Sequence, residues 1–176
     1  MAEKISVLVP AHDVEDRIKG MAAEISERYA GEELHIIGIL KGSVFFMCEL
    51  AKYITVPVTL DFMSVSSYGS GTVSSGTIKL NKDLDDPIEG KNVIIAEDIL
   101  DSGRTLKYLI ELLKERKPKS LMTVTLLDKP DRREYEVELD MTGFEIPDKF
   151  VVGYGLDYDQ KYRNLNYIGV LEFTED

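Results

Sequence analysis

The amino-acid sequence predicts an α/β fold in which helices flank a mostly parallel, twisted β-sheet. Apolar runs of strand length alternate along the 176 residues with segments whose apolar side chains recur at helical spacing. This alternation is typical of parallel strands joined by helical crossovers. The chain contains no internal repeat and no proline-rich linker, and its length can supply one sizeable hydrophobic core. We therefore expect a single domain over residues 1–176.

Three segments carry apolar side chains at the spacing of an amphipathic helix. In the first of them Val14 and Ile18 fall on one face, and Asp13 stands at the N-cap position. In the third, Leu106 and Leu109 share a face. The predicted helices cover residues 14–29, 44–53 and about 105–116.

Apolar runs, several of them rich in β-branched residues, predict the strands between and after these helices. In a parallel sheet, ligands bind at the carboxyl ends of the strands. The polar segments that directly follow these runs are therefore the places where we expect chemistry. The predicted strands cover residues 35–40, 54–65, 92–96, 121–127, 150–154 and 167–173.

The overall charge argues against two classes of partner. With 32 acidic against 21 basic residues, the chain carries a net charge of −11, whereas a nonspecific binder of nucleic acid or of anionic membrane needs positive charge. No apolar run approaches the roughly eighteen residues that span a bilayer, and the first ten residues lack the features of a secretory signal. The single cysteine, Cys48, excludes an intrachain disulfide. We expect a cytoplasmic protein.

The segment after the run at residues 92–96 is the most informative part of the sequence. Three carboxylates, Glu97, Asp98 and Asp101, follow that strand. Acids at this point suit sugar hydroxyls or a hard cation such as Mg²⁺, which prefers oxygen ligands. The alternative is a solvated acidic loop in which Asp101 caps the next helix. Three acids at the carboxyl end of one strand favour the ligand site.

A short turn rich in glycine and hydroxyl groups joins these acids to the helix. Its backbone N–H groups, with the positive end of the helix dipole behind them, form a site for a phosphate. Ser102 and Thr105 add hydroxyl donors, and Gly103 lets the backbone approach a ligand closely. The turn and the acids together predict a site for a sugar phosphate.

Residues 64–77 form a segment rich in serine and glycine and poor in anchoring groups. This composition favours a mobile surface loop. The alternative is a lid that closes over a bound substrate, in which glycines act as hinges and Tyr68 covers the site.

The sequence from Val93 to Leu106 resembles the signature of the type I phosphoribosyltransferases, in which two acids are followed by D-[ST]-G-x-T. Flanking segments are similar to those of the hypoxanthine-guanine phosphoribosyltransferases. Residues 40–43 resemble the pyrophosphate loop, residues 126–129 and 144–157 resemble the purine pocket, and Ser67-Tyr68 opens a segment that resembles the flexible catalytic loop. The resemblance implies the type I phosphoribosyltransferase fold, which includes a small hood region.

The resemblance further implies that the chain binds 5-phosphoribosyl-1-pyrophosphate and Mg²⁺. Glu97 and Asp98 would hold the ribose hydroxyls directly or through Mg²⁺, residues 101–105 would cradle the 5-phosphate, and the Leu40–Lys41 peptide bond would be cis. The implied donor-binding residues are Lys41, Gly42, Glu97, Asp98, Asp101, Ser102, Gly103, Arg104, Thr105 and Arg163. The implied metal ligands are Glu97, Asp98 and Asp157, the last for a second Mg²⁺ on the pyrophosphate.

The implied reaction joins N9 of a purine to the ribose C1 while pyrophosphate leaves. Asp101 would be the catalytic general acid/base at the purine N7, and its charge would favour an oxocarbenium-like transition state. The Lys129 ammonium can only donate hydrogen bonds, so it would bind the 6-oxo group of a purine and disfavour the 6-amino group of adenine. Phe150 would stack on the base, and Val151 would offer backbone groups. The implied purine-binding residues are Lys129, Phe150, Val151 and Asp157, and the implied lid residues are Ser67 and Tyr68.

Several of these residues also have an ordinary structural explanation. Lys129 suits a strand end with its amine in water, Phe150 suits the core, and Arg163 suits a surface ion pair.

Two other functions fit the signature: an RNA-binding regulator of pyrimidine genes, which the negative charge disfavours, and a non-catalytic ligand sensor. The resemblance implies small-molecule substrates and a homodimer or homotetramer. The sequence does not rank hypoxanthine, guanine and xanthine.

Overall fold

The computed structural model describes residues 2–67 and 77–174. Its elements, in chain order, are β1 (Ala2–Val9), α1 (Ala11–Arg28), β2 (Leu34–Ile39), α2 (Val44–Tyr53), β3 (Val58–Ser67), β4 (Ile78–Lys82), β5 (Asn92–Leu100), α3 (Arg104–Glu115), β6 (Ser120–Asp128), β7 (Met141–Glu145), β8 (Val151–Val152) and β9 (Ile168–Thr174). A short 3₁₀ turn, Pro130–Arg132, follows β6. Of the implied lid residues, Ser67 ends β3, whereas Tyr68 lies outside the described residues.

Within the described residues, six strands form the main sheet in the order β4-β3-β2-β5-β6-β7. All neighbouring strands pair in parallel except β3 and β4. Helices α1 and α2 cover one face, in a core that includes Ile18, Phe46 and Ile94. Helix α3 covers the other face through Leu106 and Leu109. The predicted α/β fold with a mostly parallel sheet flanked by helices is confirmed.

A smaller antiparallel sheet accompanies the main one. Strand β9 pairs with β1 on one side and with β8 on the other. The connection from β8 to β9 reaches the loop after β2, because the backbone at Gly155 lies directly against Gly42. We call the smaller sheet and this connection the hood, and it agrees with the hood region that the resemblance implies.

The structure corrects the predicted boundaries of two strands next to the site. Strand β5 continues to Leu100, beyond the predicted 92–96, so Glu97 and Asp98 belong to the strand and not to a loop. Strand β8 ends at Val152 rather than at residue 154, because Gly153 and Tyr154 both have positive φ values, which an extended strand cannot contain.

The sequence patterns miss strands β1, β4 and β7. Each lies at the edge of a sheet, and most of its residues are exposed or half-buried, so none shows a continuous apolar run. The predicted N-cap of the first helix is also wrong. Helix α1 begins directly after Pro10, and Asp13 lies in its first turn. Proline suits this position because a helix start needs no N–H donor there.

Candidate active site

Three adjoining cavities lie at the carboxyl edge of the main sheet, and Asp98 lines all of them. The turn cavity, about 180 Å³, lies over the connection from β5 to α3. The loop cavity, about 300 Å³, lies between residues 39–42, the end of β3 and Arg163. The aromatic cavity, about 370 Å³, lies between Asp101, Lys129 and Phe150. A ligand that lies beside Asp98 can therefore place one chemical group in each of the three cavities.

Glu97 and Asp98 form a desolvated acid pair at the end of β5. Glu97 is buried, and its Oε1 accepts a hydrogen bond from the Asp98 N–H at 3.1 Å. Burial raises the pKa of Glu97 well above its ordinary value, and repulsion from Asp98 adds to the rise. Burial also raises the pKa of Asp98, although its hydrogen bonds and the charge of Arg163 oppose the rise. Such a pair favours a ligand that brings positive charge or hydroxyl donors.

Neutralising this acid pair should stabilise the protein at high pH. A carboxyl group whose pKa is higher in the folded than in the unfolded state favours folding at low pH, and this contribution is lost as the pH rises through the folded pKa. We therefore expect Glu97→Gln to raise the melting temperature at pH 8, by about 2–4 °C for each kcal/mol gained. At pH 4 the two proteins should melt together.

Scanning calorimetry of the wild type and the variant at both pH values checks this expectation. The exposed Glu111 of α3 supplies a control, since Glu111→Gln removes an equal charge from a solvated helix face. A lower melting temperature for Glu97→Gln at pH 8 would contradict the expectation.

The loop after β2 brings its backbone against the acid pair. The Leu40–Lys41 peptide bond is cis, as the resemblance implies. A Cβ atom at Gly42 would overlap the Asp98 carboxylate, and a Cβ atom at Gly155 would overlap the carbonyl oxygen of Gly42. Only glycine fits at these two positions without displacing a neighbour, so the loop, strand β5 and the hood meet in direct contact.

The connection from β5 to α3 has the form of an anion site. Gly103, with a φ of 88°, stands at the N-cap of α3, in the left-handed region that glycine favours. Asp101 is therefore not the cap, and that part of the alternative explanation is wrong. The first N–H groups of a helix have no partners within the helix and favour an anion. Ser102, Gly103 and Thr105 line the turn cavity at this point.

Arg104 stands apart from the other residues of this turn. It does not line the turn, loop or aromatic cavity, and it faces a separate cavity of about 440 Å³ with Tyr108 and Tyr135. Its main-chain N–H donates to Ser102 Oγ at 3.4 Å.

Asp101 lies where the turn cavity and the aromatic cavity meet. Its Oδ1 is buried and has no hydrogen bond within residues 2–67 and 77–174. Arg132 Nε lies 3.6 Å away, a distance for an ion pair without a hydrogen bond. A buried oxygen without a hydrogen bond is costly and points to a ligand that supplies the missing partner.

The aromatic cavity has a cationic end and an apolar wall. Lys129 is only 7% exposed, and in the described part of the chain its Nζ has neither a hydrogen bond nor an ion pair. A strand-end lysine with its amine in water is usually more exposed, so this burial disfavours that explanation. Phe150 is 52% exposed and therefore is not a core residue. Val151 completes the wall, and the cavity suits a flat ring that carries a hydrogen-bond acceptor.

The hood contributes a polar network to the loop cavity. Arg163 donates to the Gly155 carbonyl at 2.7 Å and pairs with Asp157 at 3.1 Å. Gln160 Oε1 accepts hydrogen bonds from Lys41 Nζ at 3.2 Å and from Arg163 at 3.3 Å. Arg163 is thus part of a network between elements and not an isolated surface pair. Two cations at one cavity suit a ligand with several negative charges.

The sequence patterns miss three residues that the structure brings to the site. Arg132 lies beside Asp101, Arg133 donates to the main chain of Asp101 at 3.2 Å, and Gln160 joins Lys41 to the hood. All three stand in polar segments outside the predicted strands and helices, where no periodicity singles out a residue.

A model of the phosphoribosyl transferase domain matches residues 6–159. The chain belongs to the phosphoribosyltransferase family. The sequence-based expectation of a phosphoribosyltransferase, and hence of an enzyme, is confirmed. None of the helices in residues 2–67 and 77–174 combines the length and hydrophobicity of a membrane-spanning segment.

Individual phosphoribosyltransferases resemble the chain over nearly its full length. The hypoxanthine-guanine phosphoribosyltransferase of Bacillus subtilis is 51% identical over 166 residues, which cover 94% of this chain and 92% of that protein. The hypoxanthine phosphoribosyltransferase of Salmonella typhimurium is 48% identical over 178 residues, which cover both chains completely. A crystal structure of the Staphylococcus aureus hypoxanthine phosphoribosyltransferase superposes with a TM-score of 0.91 at 50% identity, covering 95% of this chain and 91% of that one. These likenesses do not favour the RNA-binding regulator.

Proposed function

We propose that the protein is a purine salvage enzyme that transfers the 5-phosphoribosyl group from phosphoribosyl pyrophosphate to N9 of a 6-oxopurine, hypoxanthine or guanine. The products are IMP or GMP and pyrophosphate. The observation that carries this proposal is the meeting of three cavities at Asp98. One of them ends at Lys129, which is buried and has no hydrogen bond or ion pair among the described residues. Relatives named for the same reaction support it. We further propose a cytoplasmic homodimer or homotetramer, with one domain over residues 1–176 and no nucleic-acid or membrane partner.

The donor fits the three cavities in one orientation. The 5-phosphate occupies the turn cavity, where residues 101–105 offer N–H and hydroxyl donors. The pyrophosphate occupies the loop cavity beside Lys41 and Arg163. The ribose lies between them over Glu97 and Asp98, whose carboxylates accept hydrogen bonds from its hydroxyls. Gly42 allows the pyrophosphate to approach the backbone of the loop.

The purine occupies the aromatic cavity, with one ring face on Phe150. The Lys129 amine donates to the 6-oxo group, and Asp101 faces N7. As N9 attacks C1 of the ribose, the bond from C1 to the pyrophosphate oxygen breaks. Asp101 takes or lends the N7 proton during this step, and its charge favours the positive charge that develops on the ribose.

The residues at the loop cavity fit Mg²⁺ that is bound mainly through the donor. In the described part of the chain, no three acids, histidines or cysteines are grouped to hold a metal ion on their own. Mg²⁺ commonly takes one or two carboxylates together with phosphate oxygens and water, and Glu97, Asp98 and Asp157 are hard oxygen ligands at the right place. When bound, the ion neutralises the charge of the departing pyrophosphate.

We therefore expect turnover to require Mg²⁺. The two cations at the loop cavity, Lys41 and Arg163, cannot by themselves neutralise a pyrophosphate leaving group. Removal of divalent ions with excess chelator should abolish nucleotide formation, and added Mg²⁺ should restore it. Full activity in excess chelator would contradict the expectation.

Steady-state assays with phosphoribosyl pyrophosphate and each of four purines test the proposed function. We expect nucleotide from hypoxanthine, from guanine or from both, and almost none from adenine. Comparison with xanthine measures how the substituent at C2 of the purine affects the rate. If no purine yields nucleotide in the presence of Mg²⁺, the proposed function is wrong.

A further inference from the structure

The segment directly after Lys129 holds the turn that carries Asp101. Arg133 donates from Nε to the main-chain carbonyl of Asp101 at 3.2 Å, and its Nη2 pairs with the Asp128 carboxylate at the end of β6. The side chains of Arg133 and Asp128 are half-buried. One guanidinium therefore ties the end of β6, which leads into Lys129, to the connection after β5.

Backbone contacts extend this attachment. The Ser102 carbonyl accepts hydrogen bonds from the N–H groups of Glu134 and Tyr135, both at 2.9 Å. Gly103 packs so closely on the same segment that a Cβ atom there would lie 2.7 Å from the Tyr135 carbonyl oxygen. Residues 101–103 are thus each held by residues 133–135.

We propose that Arg133 is a positioning residue for Asp101. The inference rests on the proposed function, since it concerns the group that handles the purine proton. The turn must direct the Asp101 carboxylate into the aromatic cavity while its N–H groups face the turn cavity, so a shift of this backbone displaces both groups. A planar guanidinium can hold two acceptors in fixed directions, whereas the single ammonium of lysine cannot.

Arg133→Lys keeps the positive charge beside Asp128 and removes the fixed geometry. We expect kcat to fall about 10- to 100-fold, the scale of a misplaced catalytic group. The KM for the purine should change by less than about threefold. The matched control is Arg116→Lys, since Arg116 also binds a carboxylate through two hydrogen bonds, to Asp83 at 2.7 and 2.8 Å, at the far end of α3. This control should keep the wild-type kcat. An unchanged kcat in Arg133→Lys would overturn the inference.

The double variant with Asp101→Asn separates a positioning role from general structural damage. If Arg133 acts through Asp101, adding Arg133→Lys to Asp101→Asn should lower the remaining rate by less than about twofold. Structural damage would instead lower it by the same factor as in the wild type. A fully additive loss would overturn the inference.

Hydrogen exchange tests the attachment without relying on activity. The amides of residues 101–105 should exchange faster in Arg133→Lys than in the wild type or in Arg116→Lys. Unchanged exchange would overturn the inference whatever the kinetics show. Faster exchange supports the attachment, and if the wild type then forms no nucleotide, it is the proposed function that fails.

Discussion

Asp101→Asn should lower the chemical rate about 10²–10⁴-fold, the usual scale for a general acid/base. The amide has nearly the same shape as the carboxylate but can neither hold the N7 proton nor favour positive charge on the ribose. Affinity for phosphoribosyl pyrophosphate should stay within a few-fold, because the turn binds the phosphate through Ser102, Gly103 and Thr105. Single-turnover formation of nucleotide, together with donor binding by calorimetry, measures the two effects separately.

The exposed Asp131, on the 3₁₀ turn beside the aromatic cavity, supplies the control for Asp101. Asp131→Asn removes an equal charge from the same region and should leave both the rate and the binding unchanged. Near-normal turnover in Asp101→Asn would remove Asp101 from the mechanism. A large loss of donor affinity would instead make Asp101 a binding residue.

The buried elements of the fold could be predicted because burial leaves a pattern in the sequence. Strands β2 and β6 and helix α2 are apolar runs with buried residues, and their predicted bounds lie within one residue of the observed ones. Strands β1, β4 and β7 pair at sheet edges, and most of their residues are exposed or half-buried, so hydrophobicity alone does not mark them. Their existence follows from hydrogen bonding to a neighbour, which no local pattern records.

The sequence predicts the parts of the site whose residues are contiguous, and not the parts that only the fold brings together. The acids and the turn are contiguous in the sequence, and residues 97–105 therefore indicate a sugar phosphate by themselves. Lys129 and Phe150 look ordinary in the sequence. Only the fold shows that Lys129 is buried without a partner among residues 2–67 and 77–174 and that Phe150 is exposed. The contact of Gly42 with Asp98 and Gly155 joins three distant segments, so neither its tightness nor its need for glycine is visible in the sequence.

Lys129 should decide which purines the enzyme accepts. Its side chain is only 7% exposed and lines the aromatic cavity, and its amine can only donate, so a 6-oxo group satisfies it whereas a 6-amino group brings two donors face to face. A site built on such a hydrogen bond rejects the wrong partner by about 10⁴-fold or more. We expect the wild type to prefer hypoxanthine over adenine, in kcat/KM, by a factor of this order.

Lys129→Met should weaken that preference, because the thioether fills a similar space and donates no hydrogen bond. A lost hydrogen bond to a charged group corresponds to a fall of about 10- to 100-fold in kcat/KM for hypoxanthine, while the low value for adenine should hold or rise. The control is Lys119→Met, at an exposed lysine that pairs with Glu32 at 3.5 Å at the opposite end of the sheet. It should leave both values unchanged. If Lys129→Met lowers the values for hypoxanthine and adenine by the same factor, Lys129 supports the cavity without selecting the base.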